Sequence, residues 1–339
     1  MRCLSHVLTR AWLSRGPLAC VLWPISAIYG ALVWLRQWLY QQGFLHAARL
    51  PVPVIVVGNV LVGGVGKTPV VMALVQHLTQ RGLKVGVISR GYGRHTHDVR
   101  AVHPDSQAHE VGDEPLLIAR SCAVPVWVGS DRAAAGRALL AQHPEVRVIV
   151  CDDGLQHLAL AHDMALCVFD ERGVGNGWLL PAGPLREPWP RHQLHPAPLW
   201  LLNTSGVAAN EEFAVRRQLA SVARRADGST RALHTWRHQA VQALAGIAKP
   251  EVFFDMLRAQ GLTLSHTQAL ADHADLASLH IDAHAGDVLC TEKDAVKLWH
   301  THPQAWAVPL VTQLPADLLA AIDQALDAKL SSPHGLQTH

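Results

Sequence analysis

The segment Val54-Ile-Val-Val57, followed by Gly58-Asn-Val-Leu-Val-Gly-Gly-Val-Gly66-Lys67-Thr68-Pro69 and an apolar helical stretch, constrains the fold of this chain more than any other feature. An apolar run, a glycine-rich turn and a helix, in that order, are the parts of a phosphate cradle. Glycines at 63, 64 and 66 let backbone N–H groups approach anionic oxygens. Lys67 adds a charge for terminal phosphates, and the Thr68 hydroxyl is of the type that ligates Mg²⁺. The expected binding set is Leu61, Val62, Gly63, Gly64, Val65, Gly66, Lys67 and Thr68. Leu61 stands where the strict motif has its first glycine, so the match is partial. Such a loop belongs on a parallel sheet covered on both faces by helices, because ligands bind where the strands end.

A second element completes that site. Val146-Arg-Val-Ile-Val-Cys151 reads as a buried strand running into Asp152-Asp153-Gly154. Two carboxylates at a strand tip beside a phosphate loop suit Mg²⁺, with Thr68 as a further ligand. Val62 occupies the place where a related class of partitioning ATPases carries an additional lysine. Thr291-Glu-Lys-Asp294 has its lysine one place too late for the guanine-reading N-K-x-D pattern, so ATP is the expected nucleotide.

The expected fold class is α/β: a P-loop NTPase-like, doubly wound, mostly parallel sheet, with a second, smaller α/β domain and an N-terminal membrane-associated helix. Further buried-strand patterns occur at Val85 to Ser89, Val124 to Val128, Ala165 to Phe169 and Pro198 to Leu202, with helices at Pro69 to Arg81 and Arg132 to Gln142. A polar, Ala/Arg-rich stretch from Ala208 to Ser229 reads as a connection. Beyond it, strand patterns recur at Ala240 to Ala245, Asp287 to Cys290 and Trp306 to Val311, with helices at Pro250 to Gln260 and Pro315 to Lys329. The expected organisation is a membrane-associated segment at 1–48, a P-loop core at 49–225, a smaller domain at 226–330 and a disordered tail at 331–339.

The net charge of +2 argues against nucleic acid as a partner, but it hides an asymmetry. Ten Lys/Arg precede the first acidic residue, Asp98, which leaves nineteen Lys/Arg against twenty-seven Asp/Glu in the remainder. The basic end also holds a run of 20 uncharged residues, Gly16 to Leu35, with Trp12, Trp23, Trp34 and Trp38 and with Arg2, Arg10, Arg15 and Arg36 in and around it. These are anchor residues of a bilayer interface. Pro17 and Pro24 favour a helix lying in the interface over a clean span. No small-residue cleavage site follows, so a secretory signal is not expected. Six scattered cysteines without a C-x-x-C pair imply neither a disulfide framework nor a thiolate zinc site, and the 22 histidines form no metal-binding motif.

The chain resembles the tetraacyldisaccharide 4'-kinases of Gram-negative bacteria, and the motifs that carry the resemblance occur in order. They are Gly58-Asn59 with Gly63 to Pro69, Ser89-Arg-Gly-Tyr-Gly-Arg94, Gly112-Asp-Glu-Pro115, Asp152-Asp-Gly-Leu-Gln156, Gly173 to Leu180 with Pro181-Ala-Gly-Pro-Leu-Arg-Glu187, Gly246-Ile-Ala-Lys-Pro250, Asp272-His273 and Thr291-Glu-Lys-Asp-Ala-Val-Lys297. The resemblance implies transfer of the γ-phosphoryl group of ATP, with Mg²⁺, to the 4'-hydroxyl of an acylated disaccharide 1-phosphate, forming the 4'-phosphorylated lipid A precursor of lipopolysaccharide. It implies Asp113 as the base, supported by His273, alongside Lys67. Arg90, Arg94 and Arg186 are candidates for the triphosphate or the substrate 1-phosphate, or else for structural ion pairs. Glu171 is a further candidate for the metal, or part of a solvated Asp170–Arg172 loop. The implied setting is the cytoplasmic face of the inner membrane, peripheral or monotopic, with the membrane surface and the lipid as partners and no obligatory protein partner.

Overall fold

The computed structural model describes residues 12–190, 197–207, 212–271, 279 and 286–331. The first domain is an eight-stranded sheet. Its strands are β1 (Val54–Gly58), β2 (Val85–Ser89), β3 (Arg100–Val102), β4 (Val126–Val128), β5 (Val148–Asp152), β6 (Met164–Phe169), β7 (Leu199–Asn203) and β8 (Glu212–Ala214), in the spatial order β3-β4-β2-β5-β1-β6-β7-β8. All neighbours are parallel except the edge pair β3 and β4. β1, β2, β5 and β6 are buried along their whole length. This explains why they read as continuous Val/Ile runs rather than as alternating patterns.

Helices α1 (Pro17–Gln41), α2 (Lys67–Gln80), α3 (Ala108–Val111), α4 (Asp113–Cys122) and α5 (Arg132–Gln142) complete this half. The inward side of α2 buries Val70, Val71, Leu74, Val75 and Leu78, the 3–4 spacing of an amphipathic helix. Asp131 caps α5 by accepting from the N–H groups of Ala133 and Ala134 at 2.9 and 3.0 Å.

The second sheet is built from β10 (Val222–Arg224), β11 (Thr230–Ala232), β12 (Ala240–Ala245), β13 (Thr263–Ala269), β14 (Val288–Thr291) and β15 (Trp306–Val308), in the order β11-β10-β15-β14-β12-β13. It packs on α6 (Pro250–Ala259) through Phe253, Phe254 and Leu257, and α7 (Glu292–Leu298) follows β14. A separate two-stranded antiparallel ribbon joins β9 (Arg216–Leu219) to β16 (Leu310–Gln313). The last helix, α8 (Ala316–Leu330), returns to the first core with Leu318, Ile322 and Leu326. It is tied there by Arg81 to Asp323 and Asp327 and by Lys329 to Asp163.

The architecture adds three strands that the sequence pattern does not show, β3, β11 and β13, and differs from the expectation in three further places. The stretch expected to be a connection, 208–229, holds β8, β9 and β10; β8 pairs with the preceding β7 and β10 with the following β11, whereas β9 pairs with β16 and β10 also with β15, far along the chain. The second sheet therefore begins before residue 226, and α8 belongs to the first core. The single strand expected at Trp306 to Val311 is two, separated at Pro309, one in each of two sheets. Proline has no N–H for a ladder, so it marks the break. Finally, α1 is continuous through Pro24.

α1 is inverted relative to a helix of a water-soluble domain. Its inward stripe carries small or polar groups: Ala19 and Ser26 are buried, and a Cβ on Gly30 would lie 2.8 Å from Leu179 Cδ1. Ser26 Oγ donates to the Leu179 carbonyl at 2.9 Å and accepts from the Ala182 N–H at 2.9 Å, while the Tyr29 hydroxyl donates to the Arg186 carbonyl at 2.7 Å. Val21, Trp23, Ile25, Ile28, Leu32 and Trp34 face outward and exposed. Each such side chain left in water forgoes about 1.5–3 kcal/mol of burial.

Candidate active site

The sheet order sets the site. β2, β5, β1, β6 and β7 run parallel side by side, so Ser89, Asp152, the glycine loop, Asp170 and Thr204 all emerge at the same carboxyl-terminal edge. The loop after β1 folds as a phosphate cradle anchored at both ends. Leu61 is fully buried and bridges Leu185, and the Val62 N–H donates to the Pro184 carbonyl at 2.9 Å. The open part of the loop begins at Gly63, while Leu61 and Val62, the first two of the expected set, are held by the protein itself. Those first two positions hold the loop instead, which is why glycine is dispensable at 61. Thr204 Oγ1, 2.9 Å from the Val65 carbonyl and 3.1 Å from that of Phe169, braces the far side. Gly66 has φ of +85°, a left-handed conformation, just before α2 begins at Lys67. The first N–H groups of that helix have no intrahelical acceptor, so they and the positive helix end point at the loop's concavity.

Lys67 Nζ donates to Asn59 Oδ1 at 3.1 Å and lies 3.3 Å from Asp153 Oδ1. Arg186 Nη1 reaches the same carboxylate at 3.3 Å. Burial alone would raise the Asp153 pKa, but Lys67 and then Arg186 outweigh it and hold the group below the usual carboxylate range. Asp152 behaves oppositely. Burial, reinforced by the charges of Glu114 and Asp153, pushes its pKa up to about 7 against the pull of Lys67 and a 3.4 Å contact with Ser89 Oγ. Its Oδ1 is buried with no hydrogen-bond partner. An orphaned carboxylate oxygen, an ionised neighbour and the buried Thr68 hydroxyl fit Mg²⁺. Among the described residues no group of three or more His, Cys, Asp or Glu side chains gathers as a metal cage. That suits a cation completing its shell with phosphate oxygens and water.

In metal-free buffer, Asp152→Asn is expected to stabilise the fold above pH 7, by at most about 4 kcal/mol, the linkage value of a pKa raised from 3.8 to about 7. The native carboxyl titrates near 7 and the unfolded one near its ordinary value of 3.8, so native stability contributed by Asp152 declines as pH rises between those values. The advantage of asparagine should be absent at pH 4 and level off above 7 in thermal melts. A variant less stable at pH 8 would contradict the upward shift.

The Gly112-Asp-Glu-Pro115 loop stands across from the cradle. A Cβ on Gly112, where φ is +93°, would lie 3.1 Å from the backbone of Gly91 and Tyr92, so this turn packs directly on the Ser89–Arg94 loop. Asp113 is buried at the start of α4, with Lys297 Nζ 2.7 Å from Oδ2. Glu114 lies 3.8 Å from Lys293 Nζ. The motif Thr291–Lys297 thus gains a structural reading: Thr291 caps α7, Asp294 accepts from the Gly246 N–H at 2.9 Å, Glu292 pairs with Arg224, and the two lysines meet Asp113 and Glu114.

A cavity of about 580 Å³ opens between the domains. Gly64 to Pro69, Glu114 and Asp170 line one side, Lys249, Phe253 and Lys293 the other. The family described as LpxK: Tetraacyldisaccharide-1-P 4'-kinase matches residues 18–327. The chain belongs to the tetraacyldisaccharide 4'-kinase family.

Tetraacyldisaccharide 4'-kinase of Acidovorax sp. (strain JS42) is 52% identical over 335 residues, covering 98% of this chain and 97% of the relative. That of Polaromonas naphthalenivorans (strain CJ2) is 53% identical over 343 residues, covering 99% and 100%. The crystal structure of "apo" form LpxK from Aquifex aeolicus in complex with ATP matches with a TM-score of 0.78 at 28% identity, over 91% of this chain and 99% of that one. In this member of the family, the glycine loop, Lys67, Thr68, Asp152, Asp153 and Arg186 converge at one edge of the first sheet. Arg94 donates to the Asp98 carbonyl at 2.6 Å, a bond within its own loop, whereas Arg90 is exposed. Glu171 pairs with Lys249, which also lies 2.7 Å from Asp170. His273 lies outside the described residues, as do Arg2, Arg10 and residues 332–339. Four basic residues at the site had no role in the sequence reading: Arg132, Arg217, Lys249 and Lys297. Only the Lys249 and Lys297 positions fall inside motifs. Arg132 and Arg217 sit in stretches whose chemistry depends on what the fold places opposite them.

Proposed function

We propose that this chain phosphorylates the 4'-hydroxyl of a tetraacyldisaccharide 1-phosphate with the γ-phosphoryl group of ATP, at the membrane surface, with Asp113 as the base. The observation that carries the reading is the shared cavity: Glu114, next to Asp113, lines the same space as Lys67 and Thr68. A base loop from one part of the sheet edge therefore faces a phosphate loop from another. Incubation of the purified chain in detergent with Mg·ATP and the disaccharide 1-phosphate should yield a lipid heavier by one phosphoryl group. ATP hydrolysis with no phosphorylated lipid would refute the reading in favour of a nucleotide-hydrolysing switch.

In this reading the backbone N–H groups from Gly63 to Thr68 and the Lys67 ammonium hold the triphosphate. Thr68, Asp152 and Asp153 would hold Mg²⁺, which supplies positive charge to phosphate oxygens when bound. Asp113 accepts the proton of the 4'-hydroxyl as that oxygen bonds to the γ-phosphorus, and the bond to the bridging oxygen breaks to release ADP. Lys297 Nζ, 2.7 Å from Asp113 Oδ2, orients that carboxylate. By the family resemblance, His273 supports Asp113 in its role as base. Arg186 positions Asp153, and Arg90 is the most available of the three expected arginines for the substrate 1-phosphate.

The inverted α1 supports the membrane reading, since its outward apolar face is covered if it lies in the bilayer interface on the cytoplasmic side. Four acyl chains cannot be drawn into water without a cost of about 0.8 kcal/mol per CH₂, so the enzyme has to meet its substrate at the bilayer. Deleting residues 1–35 is expected to abolish flotation with anionic liposomes and to raise the apparent KM for bilayer lipid. High salt should weaken flotation of the full-length chain, because surface attraction is screened within about 8 Å at physiological ionic strength. Equal flotation of both forms would show that the segment is not the anchor.

A further inference from the structure

We infer that Arg217, on the ribbon between the two sheets, is a nucleotide-phosphate ligand of the glycine loop, contributed from outside every phosphate-binding motif. The inference rests on the reading of the loop as the ATP site. β9 alternates, with Arg216 and Gln218 exposed and Leu219 buried, so the period of a strand turns Arg217 inward with Leu219. Its guanidinium comes so close to the loop that a Cβ on Gly66 would lie 3.0 Å from Nη1. Gly66 thus serves twice, adopting the left-handed turn and leaving clearance for the arginine. Arg217 lines the same cavity as Gly64 to Thr68.

Most other charges around the loop have carboxylate partners, although Arg172 Nη2 has none. Lys67 and Arg186 share Asp153, Arg172 Nε lies 3.0 Å from both oxygens of Asp170, and Lys249 holds Asp170 and Glu171. Among the described residues Arg217 makes no side-chain hydrogen bond or ion pair. Burial lowers its pKa, with Glu171 and Asp170 opposing from a distance. A partly exposed guanidinium with five donors and no acceptor, opening onto the cavity, is placed to meet an anion, and the phosphate oxygens of a nucleotide on this loop are the anions within its reach. Arginine suits the position because its planar fork engages two phosphate oxygens at once.

The test compares wild type, Arg217→Met and Arg217→Lys, all full length in detergent, by calorimetric titration with ATP and ADP and by competition with adenosine. Methionine keeps the apolar stem and removes the charge. The expected result is about a tenfold to hundredfold weaker ATP affinity in Arg217→Met, the scale of a lost charge-assisted hydrogen bond. Arg217→Lys should be intermediate, and adenosine should compete equally well with all three. Loss confined to ATP places the contact on the γ-phosphate; equal loss for ADP places it further in. On the wild-type chain, phenylglyoxal should modify Arg217, and ATP but not adenosine should protect it. Unchanged ATP affinity in Arg217→Met, equal weakening of adenosine, or no protection by ATP would each overturn the inference. If wild type binds ATP and Arg217→Met binds it equally, the inference alone falls. If wild type binds no ATP, the loop reading falls with it.

Discussion

Lys67→Ala is expected to leave a folded protein whose kcat is lower by about 10²–10³-fold, the scale on which removal of one preorganised charge donor acts on a transition state. The fold should survive because Lys67 is at the rim of the sheet, and Asp153 keeps Arg186 as a partner at 3.3 Å. Lys67 lies against both Asn59 and Asp153, so its ammonium is held beside the glycine loop before any nucleotide arrives. Steady-state assays with detergent-dispersed disaccharide 1-phosphate, paired with thermal melts, would measure the effect. Near-normal turnover would remove the glycine loop from the mechanism.

Asp113→Asn is expected to lower kcat by about 10²-fold or more while leaving ATP affinity nearly unchanged, since general-base contributions run about 10²–10⁴. Asparagine preserves shape but removes the negative charge that lies 2.7 Å from Lys297 Nζ, whose side chain is only 19% exposed. A modest loss of stability is therefore expected as well, and adding Lys297→Met to Asp113→Asn should recover part of it. Recovery of stability without recovery of kcat would separate the chemical role of Asp113 from its structural one. His273→Ala should act in the same direction, and the variant combining it with Asp113→Asn should lose less than the product of the single losses if the two act as a unit. Full multiplicativity would mean that they act independently, and an unchanged kcat in Asp113→Asn would move the base elsewhere.

The sequence by itself determined the local elements. Val54–Gly58, Val85–Ser89 and Ala240–Ala245 are short apolar runs bounded by glycine or polar turns, and such runs can satisfy their backbone and bury their side chains only as interior strands. Gly63 to Thr68 and the Asp152-Asp153 pair were legible for the same reason, because their chemistry is written within a few consecutive residues. The amphipathic inversion of α1 was half visible: its tryptophans and apolar run stand in the sequence, but which side faces protein depends on Ser26 and Tyr29 finding acceptors and donors near 179–186. Tertiary structure alone decided what depends on distant pairing. β9 and β10 are strands of four and three residues, too short for a local signal; β9 pairs with β16, about ninety residues away, and β10 with β15 as well as with its neighbour β11. The match of Lys297 to Asp113, of Lys249 to Asp170 and of Arg217 to the glycine loop follows from that pairing. A charge acquires a function only from what lies within a few ångströms of it, and adjacency across two sheets is set by the packing of the whole chain rather than by any window of its sequence.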